Sequence, residues 1–79
     1  MKRIACERLE FGKWYYAYDN TTKEIVPFIF QEVAEHPKII TIPTIYLIRK
    51  TCVVGRINMN DSMYPNFFDI DSYIFYENK

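Results

Sequence analysis

Apolar and polar residues alternate along the segment KWYYAYDN, which is typical of a β-strand with one buried face. The alternation places Trp14, Tyr16 and Tyr18 on the same side of this strand. The four residues after it, Asp19-Asn20-Thr21-Thr22, predict a turn, because short polar side chains bond to nearby backbone groups. A weaker alternation over residues 2–9 predicts an edge strand before this hairpin.

After the turn the spacing becomes helical. Apolar residues recur at intervals of three and four positions: Ile25, Phe28, Ile29 and Val33. Pro27 is compatible with the first turn of a helix, and Pro37 would end it, because the residue before a proline avoids the α region. The sequence therefore predicts a helix over residues 26–35.

The next segment, KIITIPTIYLIRKTCVVGRI, is rich in β-branched residues and predicts two strands, over residues 39–49 and 51–58. The turn between them is expected at Arg49-Lys50. Pro43 cannot donate a hydrogen bond to a sheet and so marks an edge, a bulge or a break. Gly55 indicates a bulge or a close approach of another backbone.

Residues 59–69 are expected to form a loop, and the segment DIDSYIFYE closes the chain as a further strand. The predicted order is β-β-α-β-β-β, an α+β class. It consists of a small antiparallel sheet of four to five strands with one helix, and it forms a single domain over residues 1–79.

Composition supports a folded protein in a reducing compartment. Of the 79 residues, 49% are hydrophobic and 18% aromatic, which is enough for a core. Two cysteines do not make a disulfide framework, and the N-terminus is too charged for a secretory signal. The longest apolar run, residues 39–48, is far shorter than the ~20 residues that span a bilayer. We expect a cytoplasmic protein without membrane association.

The charges balance, with ten basic and ten acidic residues, so no general affinity for nucleic acid is predicted. Their distribution is uneven: residues 36–60 contain no acid, and residues 58–78 contain no base. One interpretation is that strands of opposite charge lie side by side in one sheet. The other is a surface with one basic and one acidic face.

No metal or cofactor site is predicted. The single histidine and the two cysteines, at positions 36, 6 and 52, lack the close spacing of metal ligands. Two glycines, at positions 12 and 55, cannot form a phosphate-binding loop.

The segment NDSMYPNFFDIDSYIFYE resembles the nucleophile segment of the SOS-repressor and signal-peptidase proteases. The resemblance covers about a quarter of the chain and would make Ser62 the nucleophile. The base of that family is a buried lysine on a later strand. Here Lys79, the last residue, is the sole lysine that follows Ser62, and burial would not depress its pKa. We therefore predict no enzymatic activity.

Aromatic residues among acids suggest a surface for a protein partner. The leading hypothesis is a non-enzymatic accessory protein, encoded by a phage or virus, that inhibits or redirects a host enzyme or defence complex in the host cytoplasm. Residue types that are encoded mainly by A/T-rich codons are frequent in this chain, and this bias favours such an origin. The predicted contact residues are Asp61, Tyr64, Phe67, Asp69, Asp71, Tyr73 and Glu77.

The alternative is a small nucleic-acid-binding protein, in which aromatic side chains stack on bases beside basic residues. The residues of this alternative face are Arg8, Lys13, Trp14, Tyr15, Arg49, Lys50 and Arg56. In either case a domain this small is expected to self-associate through a β edge, as a possible homodimer.

Overall fold

The strands of the computed structural model, which describes residues 1–57 and 65–78, form one antiparallel sheet. Their order across the sheet is β4-β3-β2-β1-β5. The strands are β1 (Trp14–Asp19), β2 (Ile25–Thr41), β3 (Ile45–Arg56), β4 (Asn66–Asp69) and β5 (Tyr73–Glu77). The described residues contain no α-helix, only a 3-10 helix at Cys6–Arg8. The predicted α+β class is therefore wrong, and the domain is nearly all β.

The predicted helix over residues 26–35 lies within β2. Its helical spacing coexists with an alternation that fits a strand equally well, since Phe28 and Phe30 are buried and Pro27 and Ile29 are not. Aromatic and β-branched side chains favour a pleated, half-buried surface. Pairing with β1 on one side and β3 on the other decides the outcome.

Pro27 fits in this central strand because its nitrogen does not face a paired strand. The Phe30 N–H donates to the Lys13 carbonyl at 3.0 Å, which fixes the side of β2 that faces β1. Neighbouring residues of an antiparallel strand direct their backbone groups to opposite sides. The nitrogen of Pro27 therefore points towards the β3 side, where pairing begins only at Ile29.

The predicted division of the next segment is also wrong. Arg49-Lys50 lies inside β3, and the chain reverses at residues 42–44, where the Ile42 N–H donates to the Thr44 carbonyl at 3.3 Å. Pro43 therefore lies at a break between two strands, which is one of the three positions predicted from its missing N–H. Towards the C-terminus, residues 66–69 form β4 where a loop was expected, and the last strand begins at Tyr73.

The sheet is rolled, because its two edge strands are joined by only residues 70–72. Four Cα–Cα steps span at most about 15 Å, whereas four strand spacings of a flat sheet span about 19 Å. The Phe68 ring of β4 accordingly lies 5.1 Å from the Tyr73 ring and 6.4 Å from the Phe75 ring of β5.

The core fills the inside of this roll. Phe28 is fully buried at its centre, with its ring centroid 4.9 Å from that of Phe68 and 5.8 Å from that of Phe75. Gly55 lies against the same ring, and a Cβ there would be 2.5 Å from Phe28 Cδ2. Of the two features predicted at Gly55, a bulge or a close backbone approach, the second is confirmed, because the Cβ would also lie 2.7 Å from the Ile29 carbonyl oxygen. The core residues are Leu9, Tyr15, Ala17, Phe28, Phe30, Val53, Phe68 and Phe75.

Candidate functional site: an apolar β-ribbon

The β2–β3 hairpin extends far beyond the rest of the sheet. Its pairing runs from Ile29↔Arg56 to Thr41↔Ile45, but β1 covers β2 only as far as Ile29, and β4 covers β3 only from Cys52. Residues 35–51, here called the ribbon, therefore pair only with each other among the described strands. The ribbon is about 20 Å long, and the molecule measures 43 × 26 × 22 Å.

The end of the ribbon is apolar and exposed. Ile39, Ile42 and Ile45 are 72%, 75% and 76% exposed, and Leu47 is 65% exposed. These four residues and Tyr46 are here called the ribbon tip. Ile39 lies opposite Leu47 on one face, and Ile40 lies opposite Tyr46 on the other, so neither face is polar. An exposed apolar patch of this kind marks an interaction site.

The ribbon is also positively charged. The ribbon contains Lys38, Arg49 and Lys50 and one acidic residue, Glu35, so its formal net charge is +2 and that of the rest of the chain is −2. Arg49 is exposed and forms no ion pair within the described part of the chain.

Two carboxylates meet the ribbon at its base. The Lys38 Nζ lies 3.5 Å from the Asp69 Oδ1, and the Lys50 Nζ lies 2.9 Å from the Asp71 Oδ2. The pKa of Lys50 is raised, mainly by its hydrogen bond to Asp71. These pairs agree with the interpretation that strands of opposite charge lie side by side.

A ring stack joins β4 to the same base. The Phe67 ring lies 4.1 Å from the His36 imidazole, with an angle of 14° between their planes. The contact brings a side chain of β4 against β2 across β3, and Phe67 is held there by the pairing of β4 with β3.

The predicted acidic and aromatic surface is only partly assembled. Phe67, Asp69 and Asp71 lie together at the ribbon base, where each already has a partner within the chain. Tyr73 is half-buried in contact with the core, and burial raises its pKa. Glu77 lies at the far end of β5. Asp61 and Tyr64, like Ser62, lie outside the described residues.

The alternative basic face is divided among separate places. Tyr15 is buried in the core and cannot stack on a base. Arg8, Lys13 and Trp14 line a groove of about 510 Å³, but Glu10 and Glu77 line it too, and Glu10 pairs with Lys13. Lys50 and Arg49 lie on the ribbon, and Arg56 lies beside Phe11 and Gln31.

Cys52 is the buried thiol beneath the ribbon base. Its Sγ donates to the Asp69 Oδ1 at 2.9 Å. Burial raises the pKa of the Cys52 thiol to about 11, and the Asp69 carboxylate adds to the effect because it accepts a hydrogen bond from the thiol and would repel the thiolate. The thiolate is the reactive form, so this cysteine is unreactive at neutral pH.

This chemistry predicts selective labelling of the two free cysteines. At pH 8, a thiol reagent should modify Cys6 and leave Cys52 unmodified in the folded chain, while denatured protein should react at both positions. Intact-mass spectrometry and peptide mapping measure the result. Rapid labelling of Cys52 in folded protein would contradict the described burial.

The sequence prediction missed the ribbon tip as a site. The available signal was the run IITIPTIYLI, with a proline at its centre and no charge. Within the described ranges, no helix is long and apolar enough to cross a membrane. Residues 1–57 and 65–78 also contain no group of three potential metal ligands. Comparison with protein-family models, curated proteins and solved structures finds no significant match to this chain.

Proposed function

We propose that this chain is a non-enzymatic protein-binding domain whose contact element is the ribbon tip. The observation that carries the proposal is the exposure of five large apolar side chains at the end of a projecting two-stranded ribbon. Burying one such side chain contributes about 1.5–3 kcal/mol. Contact with a partner removes this apolar surface from water.

A protein partner fits the ribbon better than a lipid bilayer does. Outside its own pairing, the ribbon has two strand edges whose backbone groups are uncovered by other described strands. Hydrocarbon cannot satisfy these groups, and open sheet edges are not found in it. A protein supplies both apolar cover and hydrogen-bonding groups.

The proposed contact element is thus the ribbon tip and not the acidic and aromatic residues predicted from the sequence. Asp69 and Asp71 pair with Lys38 and Lys50, so binding a cationic partner through them would break contacts within the chain. The sequence predicts a phage or viral origin and a host enzyme or defence complex as the target. The geometry of the ribbon does not test these two predictions.

The proposal is tested with the double variant Ile42→Ser/Ile45→Ser. We expect it to lose at least about tenfold in affinity for the proteins that wild-type chain retains from host lysate, because two apolar contacts are lost. Quantitative mass spectrometry of retained proteins measures the loss.

The matched control for this test is Phe11→Ser. Phe11 is 80% exposed but lies away from the ribbon, so its replacement should leave binding unchanged. Equal loss in both variants would indicate general stickiness. Retention of nucleic acid that weakens steeply with salt would support the alternative function instead.

A further inference from the structure

The ribbon has two outer edges, one along β2 and one along β3. The β3 edge has the longer uninterrupted row of outward N–H and C=O groups. The Thr51 carbonyl accepts the Ile70 N–H at 3.2 Å, so Thr51 directs its backbone away from β2. Alternate residues of a strand face the same side. Arg49, Leu47 and Ile45 therefore direct their N–H and C=O groups to this edge, beyond the point where β4 stops pairing at Cys52.

The corresponding edge of β2 is interrupted. Pro37 lies opposite Arg49 and so faces outward in the same way, but it has no N–H to donate. Glu35 places a carboxylate two residues further along the same edge. Proline and charged residues on an edge strand prevent pairing with another chain. Among the described strands, β3 is unpaired on this side from Ile45 to Lys50, a stretch with no proline and no carboxylate. Its two charged residues, Arg49 and Lys50, lie at the end nearest β4.

We propose that this edge of β3 binds the same edge of a second copy of the chain, antiparallel and centred on Leu47. The two ribbons then form one four-stranded sheet. The inference deepens the proposed function, because it assigns the ribbon tip a partner.

Length and symmetry favour this register over the one centred on Arg49. A two-fold axis through an antiparallel pair opposes residues that share a face, and centring on Leu47 pairs Ile45 with Arg49 of the second copy. The pairing ends before Thr51, whose carbonyl already accepts the Ile70 N–H. Centring on Arg49 would instead need Thr51 and would oppose two arginines, which is destabilising.

Charge does not oppose the dimer. In the register centred on Leu47, the two Arg49 positions are separated by about four residues, or roughly 14 Å along the strand. This distance exceeds the screening length of about 8 Å at physiological salt. Lys38 and Lys50 are already neutralised by Asp69 and Asp71 within each chain.

Exposed apolar surface is available at the same edge. Ile45 and Leu47 are 76% and 65% exposed, and a strand of a second copy beside them would cover part of this surface in both chains.

Two matched proline variants test the edge. Leu47→Pro removes an outward N–H from β3, and Ile39→Pro removes an outward N–H from β2 at the position directly opposite. Neither N–H serves the β2–β3 pairing. We expect purified wild-type chain to sediment as a dimer at micromolar concentration, Leu47→Pro to weaken dimerisation at least about 30-fold, and Ile39→Pro to leave it unchanged.

A crosslinking experiment keeps the proposal testable if Leu47→Pro does not fold. In a Cys6→Ser background, Leu47→Cys should form a covalent dimer on mild oxidation, because opposed Cα atoms about 5.5 Å apart suit a disulfide. Ile39→Cys in the same background should not. A monomeric wild-type chain at high concentration, equal effects of the two prolines, or equal crosslinking of the two cysteines would each overturn the inference.

These outcomes are separable from the proposed function. A chain that is monomeric when purified, but captures a host protein through the ribbon tip, retains the proposed function and loses the inference. If the chain dimerises through Leu47 but Ile42→Ser/Ile45→Ser leaves its capture of host proteins unchanged, the dimer is supported. The proposed binding of other proteins through the ribbon tip is then contradicted.

Discussion

Replacing Phe28 by alanine is expected to lower the free energy of unfolding by about 3–5 kcal/mol. Phe28 is fully buried, and its ring contacts the rings of Tyr15, Phe68 and Phe75. Alanine would leave a cavity where β1, β4 and β5 meet. A domain of this size has a total stability near the lower end of about 5–15 kcal/mol, so much of the variant should be unfolded at 37 °C.

Chemical denaturation monitored by circular dichroism measures the loss, with Phe11→Ala as the matched control. Phe11 has the same side chain but is 80% exposed, so its replacement should change stability by less than about 0.5 kcal/mol. A Phe28→Ala chain as stable as the Phe11→Ala chain would mean that Phe28 does not hold the roll together.

The second large effect is expected from Gly55→Ala, which should destabilise the fold by about 1–3 kcal/mol or more through overpacking. The added Cβ would lie 2.5 Å from the Phe28 ring and 2.7 Å from the Ile29 carbonyl oxygen. The carbonyl belongs to the paired backbone of β2 and cannot move without disturbing the sheet.

Gly12→Ala separates this steric effect from backbone strain. Gly12 has a φ of +80°, but no atom lies within 4 Å of its Cβ position, so alanine there should cost only the strain of about 1–2 kcal/mol. Replacing Phe28 by the smaller leucine should restore part of the stability lost in Gly55→Ala, because it makes room for the new methyl group. If Phe28→Leu/Gly55→Ala is no more stable than the sum of the single effects implies, the contact with Phe28 is not the cause.

Local features of the sequence determined several elements correctly. The alternation along residues 13–18 predicted β1, although the structure buries Tyr15 and Ala17 and not the face with Trp14, Tyr16 and Tyr18. Asp19 specifies the turn after it, where its Oδ1 accepts the Thr21 N–H at 2.8 Å. Gly55 was recognised as a point of close backbone approach. In each case the physical cause lies within a few residues, in side-chain alternation, a local hydrogen bond or the absence of a Cβ.

Other features required contacts between distant residues. Residues 26–35 carry both helical and strand periodicity, and only pairing with β1 and β3 makes them a strand. The candidate site depends on an absence of cover: β4 ends at Asp69 and β1 pairs no further than Ile29, so an apolar segment that looks like core becomes an exposed ribbon tip.

The sequence by itself thus determined which segments are apolar, where the chain turns at residues 19–22, and that Pro43 interrupts a strand. Only the tertiary structure decided which apolar residues are buried. Burial depends on which strand lies beside another, and the short connection at residues 70–72, which rolls the sheet around Phe28, leaves the ribbon outside that roll.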